Sequence, residues 1–158
     1  MPATTESVRS PRLMVVDDDP GVGYAVTRWL QQQNIRSVLA SSTDEALQML
    51  RDMVFIESEF DGLLVDYNLP GATGCRIIEE FQLDFPKMPV ALMTGSHDIS
   101  LELWVRARKI PLFRKPLDLR ELKEWLDGIR IYKQGTPESD PLTSRDRKGT
   151  GNVPEPRT

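Results

Sequence analysis

Four short apolar runs, Leu13–Val16, Leu63–Val65, Val90–Met93 and Leu112–Phe113, and a mixed strand segment, Ile35–Ala40, apolar at Ile35, Val38 and Leu39, constrain this chain most. Segments of helical periodicity separate them, and no hairpin signal intervenes. Runs this short, apolar on both faces, suit strands buried on both sides, as in a parallel sheet. Strands alternating with helices predict a sheet with helices packed on each face. The expected fold class is therefore α/β, a (βα)5 doubly wound sheet.

The helical segments carry their own signals. Pro20 suits a first helical turn, and Val22, Ala25, Val26, Trp29 and Leu30 follow at apolar-face spacing, with Asn34 as a stop. Ser42 with Glu45 reads as a capping box, as does Asp118 with Glu121. Ala46, Leu47, Met49 and Leu50 give the second helix its inner face. A third helix spans Gly74 to Phe85 with Ile77, Ile78, Phe81 and Phe85 inward. A fourth spans Ile99 to Arg108 with Leu103, Trp104 and Ala107 inward. The last carries Leu122, Trp125, Leu126 and Ile129. Residues 53–60 read equally as helix or connection.

One domain is expected, over residues 11–133, between a flexible N-terminus at 1–10 and a disordered tail at 134–158. That tail holds Pro137, Pro141, Pro154 and Pro156 and almost no aliphatic side chains, too little apolar surface to offset the entropy of ordering it. The net charge of −4 comes with no basic stripe, so nucleic acid is not an expected direct partner. No apolar run has the length of a membrane span, and the N-terminus lacks the apolar core of a secretory signal. Cys75 is the single cysteine, so no disulfide framework forms; a reducing cytoplasm is the expected compartment.

The four apolar runs end in reactive side chains. Leu13–Val16 ends at Asp17-Asp18, Leu63–Val65 at Asp66, Val90–Met93 at Thr94, and Lys115 follows Leu112–Phe113. In a parallel sheet these ends share one edge, the edge where open α/β sheets bind ligands. Crowded carboxylates repel unless a cation joins them, and Mg²⁺ suits a few carboxylates together with water and phosphate. Asp66 then has the makings of a nucleophile that forms an aspartyl phosphate. Lys115 brings a compact positive charge and Thr94 a hydroxyl for phosphoryl oxygens. Asp19 reads as a helix-start residue. His97, the sole histidine, reads as a solvated loop residue, and Cys75 as structural although it sits near a helix start. Trp104 and Trp125 read as core, with a partner surface as the other reading.

The motifs VVDDDP, LLVDYNLPGATG, ALMTG and FRKP, in that order and spacing, resemble the receiver domain of two-component response regulators over residues 12–132. The resemblance implies strand order 2-1-3-4-5. It implies that Asp17, Asp18, Asp66 and the backbone carbonyl of Asn68 hold Mg²⁺, and that Asp66 is the phosphoacceptor. It also implies that Thr94 and Lys115 bind phosphoryl oxygens, and that Lys115–Pro116 is a candidate cis bond. The implied donor is a sensor histidine kinase or histidine phosphotransfer protein. The implied output is an unidentified protein met by the face of residues 99–132. Enzymatic activity is expected only in assisting the chain's own phosphorylation and dephosphorylation, in a stand-alone receiver. One departure stands out: three residues before Lys115, where the family often has an aromatic switch, this chain has Leu112, with Phe113 beside it.

Two other readings compete. A receiver used as a constitutive docking module would share the fold without the phosphorylation. An aspartyl-phosphate phosphatase of another family would share the nucleophile, but it needs a further acid near Asp66, where Asn68 stands, and a cap domain for which there is no insertion.

Overall fold

The computed structural model describes residues 10–56 and 60–135. Five strands alternate with five helices: β1 Arg12–Val16, α1 Pro20–Gln32, β2 Arg36–Ala40, α2 Thr43–Ile56, β3 Gly62–Asp66, α3 Gly74–Asp84, β4 Val90–Thr94, α4 Ile99–Arg108, β5 Leu112–Arg114 and α5 Leu119–Gly135. The strands form one sheet in the order β2-β1-β3-β4-β5, and every pairing is parallel. The expected fold class and strand order are both present. The tail and N-terminal segments expected to be unstructured lie, apart from a few residues, outside the described residues.

Strand periodicity divides the core in two. Met14, Val16, Leu63, Val65 and Leu92 face α2, α3 and α4, packing on Leu50, Ile77, Phe81, Leu101 and Val105. Leu13, Val15, Leu64, Ala91, Met93 and Phe113 face α1 and α5, packing on Leu30, Leu122, Leu126 and Ile129. β1, β3 and β4 are covered on both faces, which is why their interior residues are apolar. β2 lies at the sheet edge, and its middle residues are only half-buried.

Helix starts follow local chemistry. Asp19 caps α1, its carboxylate accepting from the N–H groups of Gly21 and Val22. Ser42 Oγ accepts from the Glu45 N–H at 3.1 Å. Glu45 reaches back to the Ser41 N–H at 2.8 Å, so the capping box closes one residue earlier than its usual form. Asp118 accepts from the Arg120 N–H at 2.9 Å. Residues 53–56 belong to α2, and residues 57–59 lie outside the described residues.

Two inner faces differ from expectation. In α4 the buried positions are Leu101 and Val105, Trp104 is half-buried, and Leu103 and Ala107 face outward. Ala25 of α1 is likewise exposed, while Gly23 is buried. A β-carbon on Gly23 would lie 2.9 Å from the Leu39 side chain, so α1 turns its smallest residue toward the sheet. Periodicity could not reveal this, because a glycine contributes nothing to an apolar stripe.

Candidate functional site

The parallel sheet carries the ends of β1, β3, β4 and β5 to one edge, and the chemistry collects there. Asp17 follows β1 and is 1% exposed, Asp66 ends β3 at 5%, and Thr94 ends β4 at 0%. Burial this deep is unusual for carboxylates and calls for a partner. Lys115 supplies it: its Nζ lies 2.9 Å from Asp17 Oδ2 and 3.1 Å from Asp66 Oδ2. The backbone holds Lys115 in place through its N–H, which donates to the Thr94 carbonyl at 2.8 Å. The Lys115–Pro116 peptide is cis.

The other Asp17 oxygen accepts from the Asp19 N–H at 2.9 Å, so both oxygens are engaged. Asp18 is exposed. Ligand atoms of Asp17, Asp18 and Asp66 all lie within 4.8 Å of one another, a grouping able to hold a metal ion. Burial drives the Asp66 pKa up; the hydrogen bond from Lys115 opposes this, and the nearby Asp17 charge adds to the rise. Burial works against the charge on Lys115, but its hydrogen bonds to Asp17 and Asp66 prevail, and its pKa is raised. The site holds more negative charge than one ammonium balances.

Thr94 Oγ1 accepts from the Ser96 N–H at 3.0 Å, which leaves its O–H as a donor. Asn68 lies in the exposed loop after β3. Its N–H points to Asp66 Oδ1 at 3.4 Å, and its backbone bridges to Thr73. Gly71 completes the turn with φ +81°, a conformation that favours glycine. All the site residues expected from sequence thus gather at one edge. The family model described as response regulator receiver domain matches residues 13–127.

The chain belongs to the response regulator receiver domain family. Similar proteins include the response regulator protein PilR of Pseudomonas aeruginosa, 26% identical over 136 residues, covering 85% of this chain and 29% of that protein. The two-component response regulator ARR14 of Arabidopsis thaliana is 25% identical, covering 97% of this chain and 40% of that protein. This receiver chain therefore spans less than half the length of these curated relatives. Among solved structures, the CheY-like receiver domain protein of Methanospirillum hungatei superposes with a TM-score of 0.70 at 20% identity, over 79% of this chain and 97% of that one. The non-phosphorylated HemR receiver domain of Leptospira biflexa superposes with a TM-score of 0.65 at 23% identity, over 76% and 94%.

Several side chains around the receiver site are settled by packing. Phe113 turns away from Leu112 into the α1/α5 core and meets Trp125 edge-on, with ring centroids 6.0 Å apart. It does not stand in for an aromatic at position 112. Leu112 and Trp104 pack together against the opposite core, and Trp104 carries the Arg108 guanidinium over its ring at 4.3 Å. Burial pushes the Cys75 thiol above its ordinary value, so the nearby helix start does not activate it. His97 is exposed. Sequence reasoning missed Arg114, Tyr67 and Asp98, which surround the loop after Thr94. Nothing in their spacing signals this, because the contacts join three different strand ends. No helix of the described residues is long and apolar enough to cross a membrane.

Proposed function

We propose that this receiver accepts a phosphoryl group on Asp66 from a phosphohistidine of a sensor histidine kinase or histidine phosphotransfer protein, and that Mg²⁺ is its cofactor. The observation that carries the reading is the buried Asp66 carboxylate, joined to Asp17 through the Lys115 ammonium at a sheet edge where Asp18 is exposed. An Asp66 oxygen attacks phosphorus with its lone pair. The new bond is P–O; the P–N bond breaks, and its electron pair returns to the imidazole nitrogen.

The residues fit a hard divalent ion: three carboxylates converge, and a single lysine leaves negative charge to be neutralised. Asp17, Asp18 and Asp66 would hold it, directly or through water, together with the Asn68 carbonyl. Asp17 also pairs with Lys115, at 2.9 Å, and adds charge. The ion when bound supplies charge neutralisation for phosphoryl transfer. Lys115 moves from pairing two carboxylates to pairing a phosphoryl oxygen, and the free O–H of Thr94 donates to another. The chain's enzymatic contribution is limited to assisting this transfer and the later hydrolysis.

Output follows from partner choice at the α4–β5–α5 face. Ile99 and Leu103 stand on one side of α4, 72% and 60% exposed, and Leu119 opens α5 at 46%. Exposed apolar side chains on these two helices suit a protein partner. Incubating the chain with a phosphohistidine-bearing phosphotransfer domain tests the reading. Label should move to this chain and stay on the donor when Asp66→Asn replaces it; transfer to the variant at the parent rate contradicts the assignment.

A further inference from the structure

The loop that leaves Thr94 is clasped from both sides by the sequence neighbours of the two central site residues. Arg114, immediately before Lys115, pairs in register with Thr94 across the β4–β5 ladder. Its guanidinium donates to the Ser96 carbonyl at 2.9 Å and pairs with the Glu102 carboxylate on α4. Tyr67, immediately after Asp66, directs its hydroxyl to Asp98 Oδ2 in a long contact of 3.4 Å. Asp98 is the cap of α4, its other oxygen accepting from the Ser100 N–H at 2.8 Å.

Resting on the phosphoacceptor reading of the same site, we propose that Arg114 and Tyr67 are positioning residues that fix the Thr94–Ser100 loop and tie it to α4. The physical case is one of connectivity. Lys115 follows Arg114 directly, so any backbone shift that accompanies its move from Asp66 to a phosphoryl oxygen is carried to the carbonyl of Ser96 and the carboxylate of Glu102. A shift of the Asp66 backbone likewise carries Tyr67 and the α4 cap with it. Arg114 is the stronger arm, because a planar guanidinium holds two acceptors at once. With Leu112 at the position where relatives often use an aromatic ring, this polar clasp is the direct covalent neighbour of the chemistry that reaches α4.

The test uses the full chain with Arg114→Gln, Tyr67→Phe and both together. Amide exchange is followed first without any phosphoryl donor. Arg114→Gln should speed exchange at residues 96–102 several-fold, Tyr67→Phe should do so at residues 98–101, and β1 and β3 should be unchanged. With Mg²⁺ and beryllofluoride, the protection change that reaches α4 in the parent should fall by half or more in the double variant, while intact mass shows Asp66 still phosphorylated by an acyl phosphate. Unchanged donor-free exchange in both single variants, or a full α4 response in the double variant, overturns the clasp. If the parent itself takes no phosphoryl group, the phosphoacceptor reading fails, and the donor-free exchange still decides whether the clasp holds the loop. If Arg114→Gln does not fold, Glu102→Gln removes one arm of the same guanidinium and is read in the same way.

Discussion

Gly74 runs so close beneath Asp66 that a β-carbon on it would lie 2.4 Å from the Asp66 carbonyl oxygen and 2.8 Å from Val65 Cγ1. The start of α3 thereby supports the end of β3, and the Gly74 N–H donates to the Tyr67 carbonyl at 2.9 Å. The obstruction is backbone, which cannot rotate aside as a side chain can. Gly74→Ala should therefore cost about 2–3 kcal/mol, the upper part of the range for overpacking, as measured by urea unfolding. It should also slow phosphorylation of Asp66. A variant as stable as the parent would mean that α3 slides away without disturbing the site.

Asp66 itself should be a source of instability when no metal is present. Burial, aided by Asp17, holds its folded pKa above the ordinary aspartate value. The folded state then binds the proton more tightly than the unfolded chain does. The resulting stability is fully present below the ordinary aspartate pKa and is lost as pH rises through the folded value. In chelator at pH 7, Asp66→Asn should melt above the parent, with Lys115 still paired to Asp17. The gap should narrow as pH falls toward the ordinary aspartate range. A variant melting below the parent at pH 7 would show that the Lys115–Asp66 pair outweighs burial.

Mg²⁺ should stabilise the chain by mass action, by about 2.7 kcal/mol at a hundred times the dissociation constant. Thermal melts across a millimolar series measure this. Asp18→Asn removes the carboxylate with the most freedom to bind and should flatten the series. An unchanged melting curve in the parent would count against the metal site.

The aromatic beside Leu112 should behave as core. Phe113→Ala should cost about 3–5 kcal/mol, as for a buried aromatic, with loss of its contact with Trp125. Leu112 is only half-buried, so Leu112→Ala should cost clearly less. Equal losses in chemical unfolding would contradict the two-sided placement of these residues.

Most of the architecture was legible because a strand buried on both faces must be apolar throughout. Leu13–Val16, Leu63–Val65 and Val90–Met93 could hardly be read otherwise, and each ended at a polar residue, Asp17, Asp66 or Thr94. The site was legible for the same reason: once the strands are parallel, Asp17, Asp66, Thr94 and Lys115 must share an edge. The outward turn of Leu103 was not legible. Helical spacing favours either of two stripes on α4, and Leu101 and Val105 won because they meet the core beside Leu92 and Ile110. The contacts of Arg114 with Ser96 and Glu102 were beyond sequence reading altogether, since they depend on how far the β4–α4 loop leans toward β5.

The central claim, that Asp66 is the phosphoacceptor of a Mg²⁺-dependent site, is met most directly by intact mass after incubation with a small acyl phosphate. The parent chain should gain the mass of one phosphoryl group with Mg²⁺ and none with chelator, and Asp66→Asn should gain none in either condition. A gain that persists in chelator, or that appears on the Asp66→Asn variant to the same extent, would contradict the account.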